Sequence, residues 1–390
     1  MYLDTKRRTK NSKLFTHFYK KSSIYIICVA VLFIAVGFLT TVSPAYRVSS
    51  NTITDWTGDL DSSLFLYLMG MENKAFRDAL PEDEPSPEVS NMLFEMATNI
   101  RPSDTRSLLG QELPGFLTFQ NEIIVAGEGT DYTNLPVESS PPLEEVLRDR
   151  DAVIDENEGE DLEQQEGESQ QDTGERDVVF IYNTHNRESF LPHLPDADSP
   201  DDAQHGEVNI GKVSQRFADA LEANGIGTEV DQTDIMSVLK EQGMAYHESY
   251  QASRNVVQEA FTSSEDIQYS FDLHRDAIAR DKTTKEINGK NYARVMFVVG
   301  AEYADHDKNL ELANKLHQMI QEEYPGLSRG VIKKKGSGSN GVYNQDLSPN
   351  AMLIEFGGVD NTLEELYRSA DAVAEVFSDH YWDAEKVNTN

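Results

Sequence analysis

The sequence predicts an α/β fold: a mixed sheet flanked by helices in the C-terminal part, preceded by one transmembrane helix and a small, mainly helical segment. Three observations carry that expectation. Over residues 177–382, short apolar runs alternate with stretches of 3.6-residue periodicity, the pattern of strands packed under helices. Residues 24–42 contain no charge. Between these two regions, residues 53–133 carry Leu and Met at helical spacing, as in Leu60, Leu64, Phe65, Leu68 and Met71, and again in Val89, Met92, Leu93 and Met96.

At about 1.5 Å rise per residue, the uncharged stretch 24–42 just spans a hydrocarbon core of roughly 30 Å. Ahead of it stand Lys6, Arg7, Arg8, Lys10, Lys13, Lys20 and Lys21 against the single acid Asp4. That excess of positive charge keeps residues 1–23 in the cytoplasm as a basic tail and sends the remainder across the cell membrane. A cleavable signal peptide is the rival, because Ser43-Pro44-Ala45 ends in a small residue. The apolar segment exceeds the usual length of such a leader, so an uncleaved single-pass anchor is expected.

The lone cysteine, Cys28, falls inside this segment, so a metal site in the exported part must use histidine and carboxylates. A formal net charge of -34 excludes nucleic acid as a partner, since like charge repels phosphate. Residues 134–176 combine Pro136, Pro141 and Pro142 with the acidic run Asp155-Glu156-Asn157-Glu158-Gly159-Glu160-Asp161. Such a tract has too little apolar surface to offset chain entropy and is expected to be a disordered, extended linker.

Within 177–382 the elements follow in order. Residues 178–182 read as a buried strand. A helix over 209–223 presents Ile210, Val213, Phe217, Ala220 and Leu221 on one face and stops at Asn224-Gly225. Residues 227–230 form a short strand, 246–261 a helix and 267–273 a strand. Asn288-Gly289 between 284–287 and 291–299 signals a hairpin. A helix over 309–324 closes at Pro325-Gly326, 351–355 is the last central strand, and 362–381 the last helix. The run Gly336-Ser337-Gly338-Ser339-Asn340-Gly341 lacks the Lys-Ser/Thr and helix of a phosphate cradle and is read as a mobile rim.

The chemistry concentrates where strands end. His185 follows the first strand of this region and His274 follows the strand over 267–273, while His205 lies in a polar loop four residues before Asn209. Three protein ligands with an open fourth position describe a catalytic rather than a structural zinc site, and His185, His205 and His274 are the candidates. A single loop histidine is more often a satisfied surface group. It is the matching strand-end placement of His185 and His274 that points to ligation. Glu355 stands in the apolar run Met352-Leu353-Ile354-Glu355-Phe356. A carboxylate there can take a proton from a water whose pKa zinc lowers to about 7, and pass it to a leaving amine. Its bland reading is a strand-end acid capping nearby amides. Glu188, three residues after His185, is a candidate for orienting the ligands or for ligating directly. Arg275 and Arg329 are candidate clamps for a substrate carboxylate. No Gly-x-Ser-x-Gly occurs at a strand-to-helix junction, which argues against a serine hydrolase.

Longer motifs carry a resemblance. Tyr182-Asn183-Thr184-His185-Asn186-Arg187-Glu188-Ser189-Phe190, Phe271-Asp272-Leu273-His274-Arg275-Asp276, Asn344-Gln345-Asp346-Leu347-Ser348-Pro349-Asn350 and Leu353-Ile354-Glu355-Phe356-Gly357-Gly358 are similar to those of the stage II sporulation protein P family of endospore-forming bacteria. So is the upstream stretch Asp104-Thr105-Arg106-Ser107-Leu108-Leu109-Gly110. The family resembles the zinc-dependent N-acetylmuramoyl-L-alanine amidases. The resemblance therefore implies a peptidoglycan hydrolase using zinc-activated water, with His185, His205 and His274 on the ion and Glu355 as base and then acid. In the related amidases the position of His205, four residues before the helix-opening asparagine, is usually a glutamate, so the chain departs from the pattern there. The family is also credited with cutting peptide cross-links. It works at the sporulation septum in engulfment, beside stage II sporulation protein D and stage II sporulation protein M. A non-catalytic wall-binding scaffold and a zinc peptidase of other specificity are the alternatives.

Overall fold

The computed structural model describes residues 121–154, 171–336 and 339–388. The expected cytoplasmic tail, membrane anchor and helical stripes up to residue 100 lie outside the described residues. So do the acidic core of the linker, 155–170, and Ser337-Gly338 of the expected rim. Among the described residues, no helix is long and apolar enough to cross a membrane.

The described residues form nine strands: β1 (Glu122–Ala126), β2 (Asp177–Tyr182), β3 (Gly227–Val230), β4 (Tyr269–Asp276), β5 (Thr284–Ile287), β6 (Lys290–Ala293), β7 (Val295–Gly300), β8 (Ser328–Lys334) and β9 (Ala351–Gly358). The longer helices are α1 (Ile210–Ala223), α2 (Ile235–Gln242), α3 (Ser249–Ser263), α4 (His306–Glu323) and α5 (Leu363–Asn388). Seven strands make one mixed sheet in the order β1-β8-β7-β9-β4-β2-β3, and β5-β6 form a separate hairpin. β3, β2, β4 and β9 run parallel, β7 turns antiparallel to β9, and β1 is antiparallel to β8.

Alternation along the strands divides the apolar residues between two faces. Val179, Ile181, Phe271, Leu273, Phe297, Ile354 and Phe356 pack with Phe217 of α1, Leu316 of α4 and Phe377 of α5 in the main core. Their neighbours in sequence point the other way. Phe180 and Tyr182 meet Val257 of α3, while Met296, Val298, Ile332 and Leu353 meet Tyr250, Tyr343 and Leu135. This second face holds the polar residues of interest.

Several local expectations match the structure. Asn209 caps α1 by accepting from Gly211 N at 2.9 Å. Asn288 and Gly289 both take positive φ, 51° and 78°, as a tight hairpin turn requires. Other expectations need correction. The segment over 291–299 is two strands, β6 in the hairpin and β7 in the main sheet. α2, β1 and β8 were not foreseen.

Residues 134–154 were expected in a disordered linker, yet Leu135 and Val146 are buried against the domain. Residues 122–126, expected in a helical region, are a sheet strand instead. Gly330 of β8 makes that close pairing possible: at φ 126°, a Cβ there would sit 2.1 Å from the Val125 carbonyl.

Candidate metal and acid–base site

The strands set the site. β4 places Asp272 and His274 on the α3-side face, and its register with β9 pairs Asp272 with Leu353 and His274 with Glu355. His274 and Glu355 therefore share one row of one face, and His274, expected just past its strand, lies within it. β2 ends at Tyr182, and the chain then turns: Glu188 N donates to His185 O at 3.0 Å, which folds Glu188 back beside His185.

Among the described residues, His185, Glu188 and His274 are the group of three able to hold a metal ion. His185 Nδ1 lies 3.5 Å from Glu188 Oε1, and His274 Nδ1 lies 3.6 Å from Glu188 Oε2. Both are too long for hydrogen bonds. They lie near the edge of a tetrahedron of metal–donor bonds of about 2.0–2.2 Å, which is about 3.4 Å. Buried polar atoms without a hydrogen bond gather here: Nδ1 of His185, both ring nitrogens of His274, Oε2 of Glu355, and the hydroxyls of Tyr246 and Tyr250. Buried polar groups are normally satisfied, so this cluster reads as donors awaiting a ligand.

The surroundings fix the rings. Tyr246 stacks on His185 with centroids 4.8 Å apart, and Tyr250 stacks on His274 at 6.1 Å. His274 Nε2 is 3.0 Å from Asp272 Oδ1, within ion-pair distance but outside hydrogen-bond alignment. Asp272 is itself held by Thr184, whose N–H and hydroxyl donate to it at 2.8 and 2.6 Å. Glu188 Oε2 accepts from the Arg275 backbone N–H at 2.9 Å.

Charge follows the geometry. Burial works to raise the Glu188 pKa, but the imidazoles of His185 and His274 override it and hold the carboxyl far below the usual range. Burial works to lower His274, but the carboxylates of Asp272 and Glu188 raise it well above an ordinary histidine. Glu355 goes the other way: burial first, then the negative charge of Asp276, push it up to about 8.

His205 is not in this cluster. Its Nδ1 accepts from the backbone N–H groups of Glu207 and Val208 at 3.0 and 2.8 Å, and its Nε2 is 3.0 Å from the Arg150 carbonyl. With both nitrogens committed to backbone it shapes the loop, and Glu188 is the third member of the candidate group. Arg275 and Arg329, the expected carboxylate clamps, are each 1% exposed and spend their guanidinium groups on internal partners. Arg275 donates to Ser139 Oγ and to the carbonyls of Pro200 and Ala203. Arg329 donates to Asp276 Oδ2 and Asn134 O, both at 2.6 Å.

Sequence reasoning passed over Asp272, although its spacing of two from His274 on a strand puts both on one face. It also missed Tyr246 and Tyr250, which come from a distant helix and the turn before it.

A family model described as stage II sporulation protein P matches residues 103–378. The stage II sporulation protein P of Bacillus subtilis (strain 168) is 45% identical over 368 residues, covering 94% of this chain and 92% of that protein. The chain belongs to the stage II sporulation protein P family. In this family member, the matched region takes in His185, Glu188, His274 and Glu355 together. Among solved structures, an N-acetylmuramoyl-L-alanine amidase from Clostridium difficile 630 aligns at 17% identity and a TM-score of 0.32, over 53% of this chain and 96% of its own. Cwp6 from Clostridium difficile aligns at 16% identity and a TM-score of 0.32, over 52% of this chain and 28% of its own. Neither likeness is close enough to bear on chemistry.

Proposed function

We propose that the chain is a zinc-dependent peptidoglycan hydrolase that cleaves the amide joining N-acetylmuramic acid to L-alanine. We place it, by family, in remodelling of the sporulation septum during engulfment. The observation that carries the reading is the convergence of His185, Glu188 and His274, with unpartnered donor atoms, beside the buried carboxylate of Glu355.

The donor set suits zinc: two imidazoles and a carboxylate leave a coordination position open, the arrangement of catalytic sites. When bound, zinc supplies a Lewis acid that makes a water nucleophilic near neutral pH. The chain's residues do the rest. Asp272 and the stacked tyrosines hold the imidazoles in place. Glu355 takes a proton from the water as the new C–O bond forms at the lactyl carbonyl. It returns that proton to the amide nitrogen as the C–N bond breaks, releasing the amine of L-alanine. Without metal, burial raises Glu355 to about 8, and a cation held by the neighbouring donors would draw it back toward the carboxylate form that accepts a proton. The same residues serve for a peptide cross-link presented in another register.

Residues 24–42 as a single-pass anchor, with the catalytic domain outside the cell membrane, fit a wall substrate. Stage II sporulation proteins D and M are the partners this reading carries. The test is direct: the purified full chain is incubated with peptidoglycan, with zinc and with a chelator, and the products are weighed by mass spectrometry. Zinc-dependent release of stem peptides with free L-alanine amines is expected. No release with zinc supplied would leave a wall-binding scaffold, and other products would indicate a peptidase of different specificity.

A further inference from the structure

Residues 134–139 cross the functional face of the sheet. Leu135 is buried among Met296, Val298, Ile332 and Leu353. The Asn134 carbonyl accepts from Arg329, and the Val137 N–H donates to Asp276 Oδ1 at 3.0 Å. The Val137 carbonyl accepts from Ala277 N at 3.1 Å, and Ser139 Oγ accepts from Arg275 at 3.2 Å. This backbone is pinned on both sides of Glu138.

Glu138 is the group that the pinned backbone presents. Its Oε1 lies 3.0 Å from Lys334 Nζ and 3.5 Å from the Tyr343 hydroxyl. The side chain of Lys334 is 6% exposed and that of Glu138 is 26% exposed, so Glu138 is the more accessible partner of the pair. Lys334 alternates with Ile332 on β8 and so shares the face of Glu355. Burial works to raise the Glu138 pKa, but Lys334 and then His185 and His274 lower it. Tyr343, beside Glu138, meets Tyr250 with ring centroids 5.1 Å apart, and Tyr250 in turn stacks on His274.

A buried ammonium needs an anion. Here that anion comes from a partly exposed side chain on the same face as Glu355. Lys334 has no part in the proton transfers assigned above.

We propose that Lys334 is a specificity-determining residue that binds a carboxylate on the peptide part of the substrate, and that Glu138 holds that place while the site is free. The proposal rests on the wall-hydrolase reading for the substrate class, an acidic stem peptide whose second residue carries a free carboxylate. The Tyr343 hydroxyl, 3.5 Å from Glu138 Oε1, would flank the incoming carboxylate. The pinned backbone lets the Glu138 side chain swing toward solvent while the segment stays in place.

The test is binding, which needs no turnover. The zinc-loaded full chain is titrated with two stem tripeptides that differ only in a carboxylate or a carboxamide at the second residue. The wild type is expected to prefer the acid by about tenfold or more, the scale of a hydrogen bond to a charged group. Lys334→Met should bring the ratio to about one, and Glu138→Gln should tighten the acid several-fold by removing the internal competitor. The double variant Glu138→Gln/Lys334→Met leaves no lone buried charge and serves if the single lysine variant does not fold. An equal ratio in wild type and lysine variant, or no acid preference in the wild type, overturns the proposal. Hydrolysis of peptidoglycan is scored separately: preference without cleavage supports this subsite and removes the amidase reading, while cleavage without preference removes only the subsite.

Discussion

His274 and Glu355 are register partners on the adjacent parallel strands β4 and β9, so one row of the sheet carries both a candidate metal-donor imidazole and the carboxylate proposed as proton acceptor. Their separation is set by strand spacing, about 4.8 Å between backbones, rather than by a loop. Glu355→Gln keeps the shape of that row and removes only the proton acceptor. Zinc content should stay near that of the wild type, while release of stem peptides should fall by at least about 10²-fold, a typical general-base contribution. Metal analysis beside a peptidoglycan assay checks both halves. Undiminished cleavage would remove Glu355 from the mechanism.

The same two residues make the metal-free chain sensitive to alkali. Glu355 titrates at about 8 when folded against an ordinary 4.5, so the folded state binds the extra proton and stability falls as pH rises through that window. His274 is raised as well, so its contribution is full below its ordinary 6.5 and is also lost as pH rises through the folded value. Zinc competes with these protons and binds more tightly as they leave. Melting curves at pH 5.5 and pH 8, with and without zinc, should show the larger zinc-induced gain at pH 8. In the metal-free state, Glu355→Gln should flatten the pH slope. A zinc gain that is larger at pH 5.5 would contradict the assignment of donors.

Glu188 and His205 can be separated by metal content alone. Glu188 faces both imidazoles, whereas His205 spends its two nitrogens on backbone groups of the loop. Glu188→Gln should lose more affinity for zinc than the roughly 10–100-fold that removing an outer partner of a metal ligand costs. His205→Ala should retain near-stoichiometric zinc after dialysis. The reverse pattern would restore His205 as the ligand.

The contrast between these two residues shows what the sequence could and could not tell. Period-2 alternation and apolar runs made β2, β4 and β9 readable, and with them His274 and Glu355, because a strand assigns every side chain to a face. His185 was readable from its place just past a strand. For the third member of the group the sequence offered His205 first and Glu188 as an alternative, without a way to choose. His205 and Glu188 both lie in irregular chain, where the direction of a side chain depends on turns and on hydrogen bonds such as His205 N to Arg187 O. Lys334 and Glu138 were invisible for another reason: β8 was not foreseen, and Glu138 sits in a Pro-rich, acidic stretch whose local composition favours disorder. Its order comes from distant partners, Arg329, Asp276 and Arg275.

Arg329 supplies a test of that order. It is 1% exposed, and Asp276, its partner, is fully buried. Arg329→Met strands the Asp276 carboxylate, and breaking such a buried pair costs about 3–5 kcal/mol. A fall in melting temperature of that scale, with or without substrate, is expected. A variant that melts like the wild type but binds stem peptides poorly would instead make Arg329 a substrate clamp.

A fragment beginning at Asp177 tests whether the segment before it belongs to the domain. That cut removes β1, which covers the outer edge of β8, and it removes the buried side chains of Leu135 and Val146. Burial of a leucine or valine is worth about 1.5–3 kcal/mol, so the two together account for roughly 3–6 kcal/mol before the lost strand pairing is counted. Loss of β1 also leaves the backbone edge of β8 unpaired and open to other chains. At about 2–4 °C per kcal/mol for a domain of this size, the fragment should melt at least roughly 6 °C below one that begins at residue 121. Light scattering should show that it associates while the longer fragment does not. Equal melting and no association would make residues 121–154 an appendage, and Glu138 could not then be a fixed neighbour of Lys334.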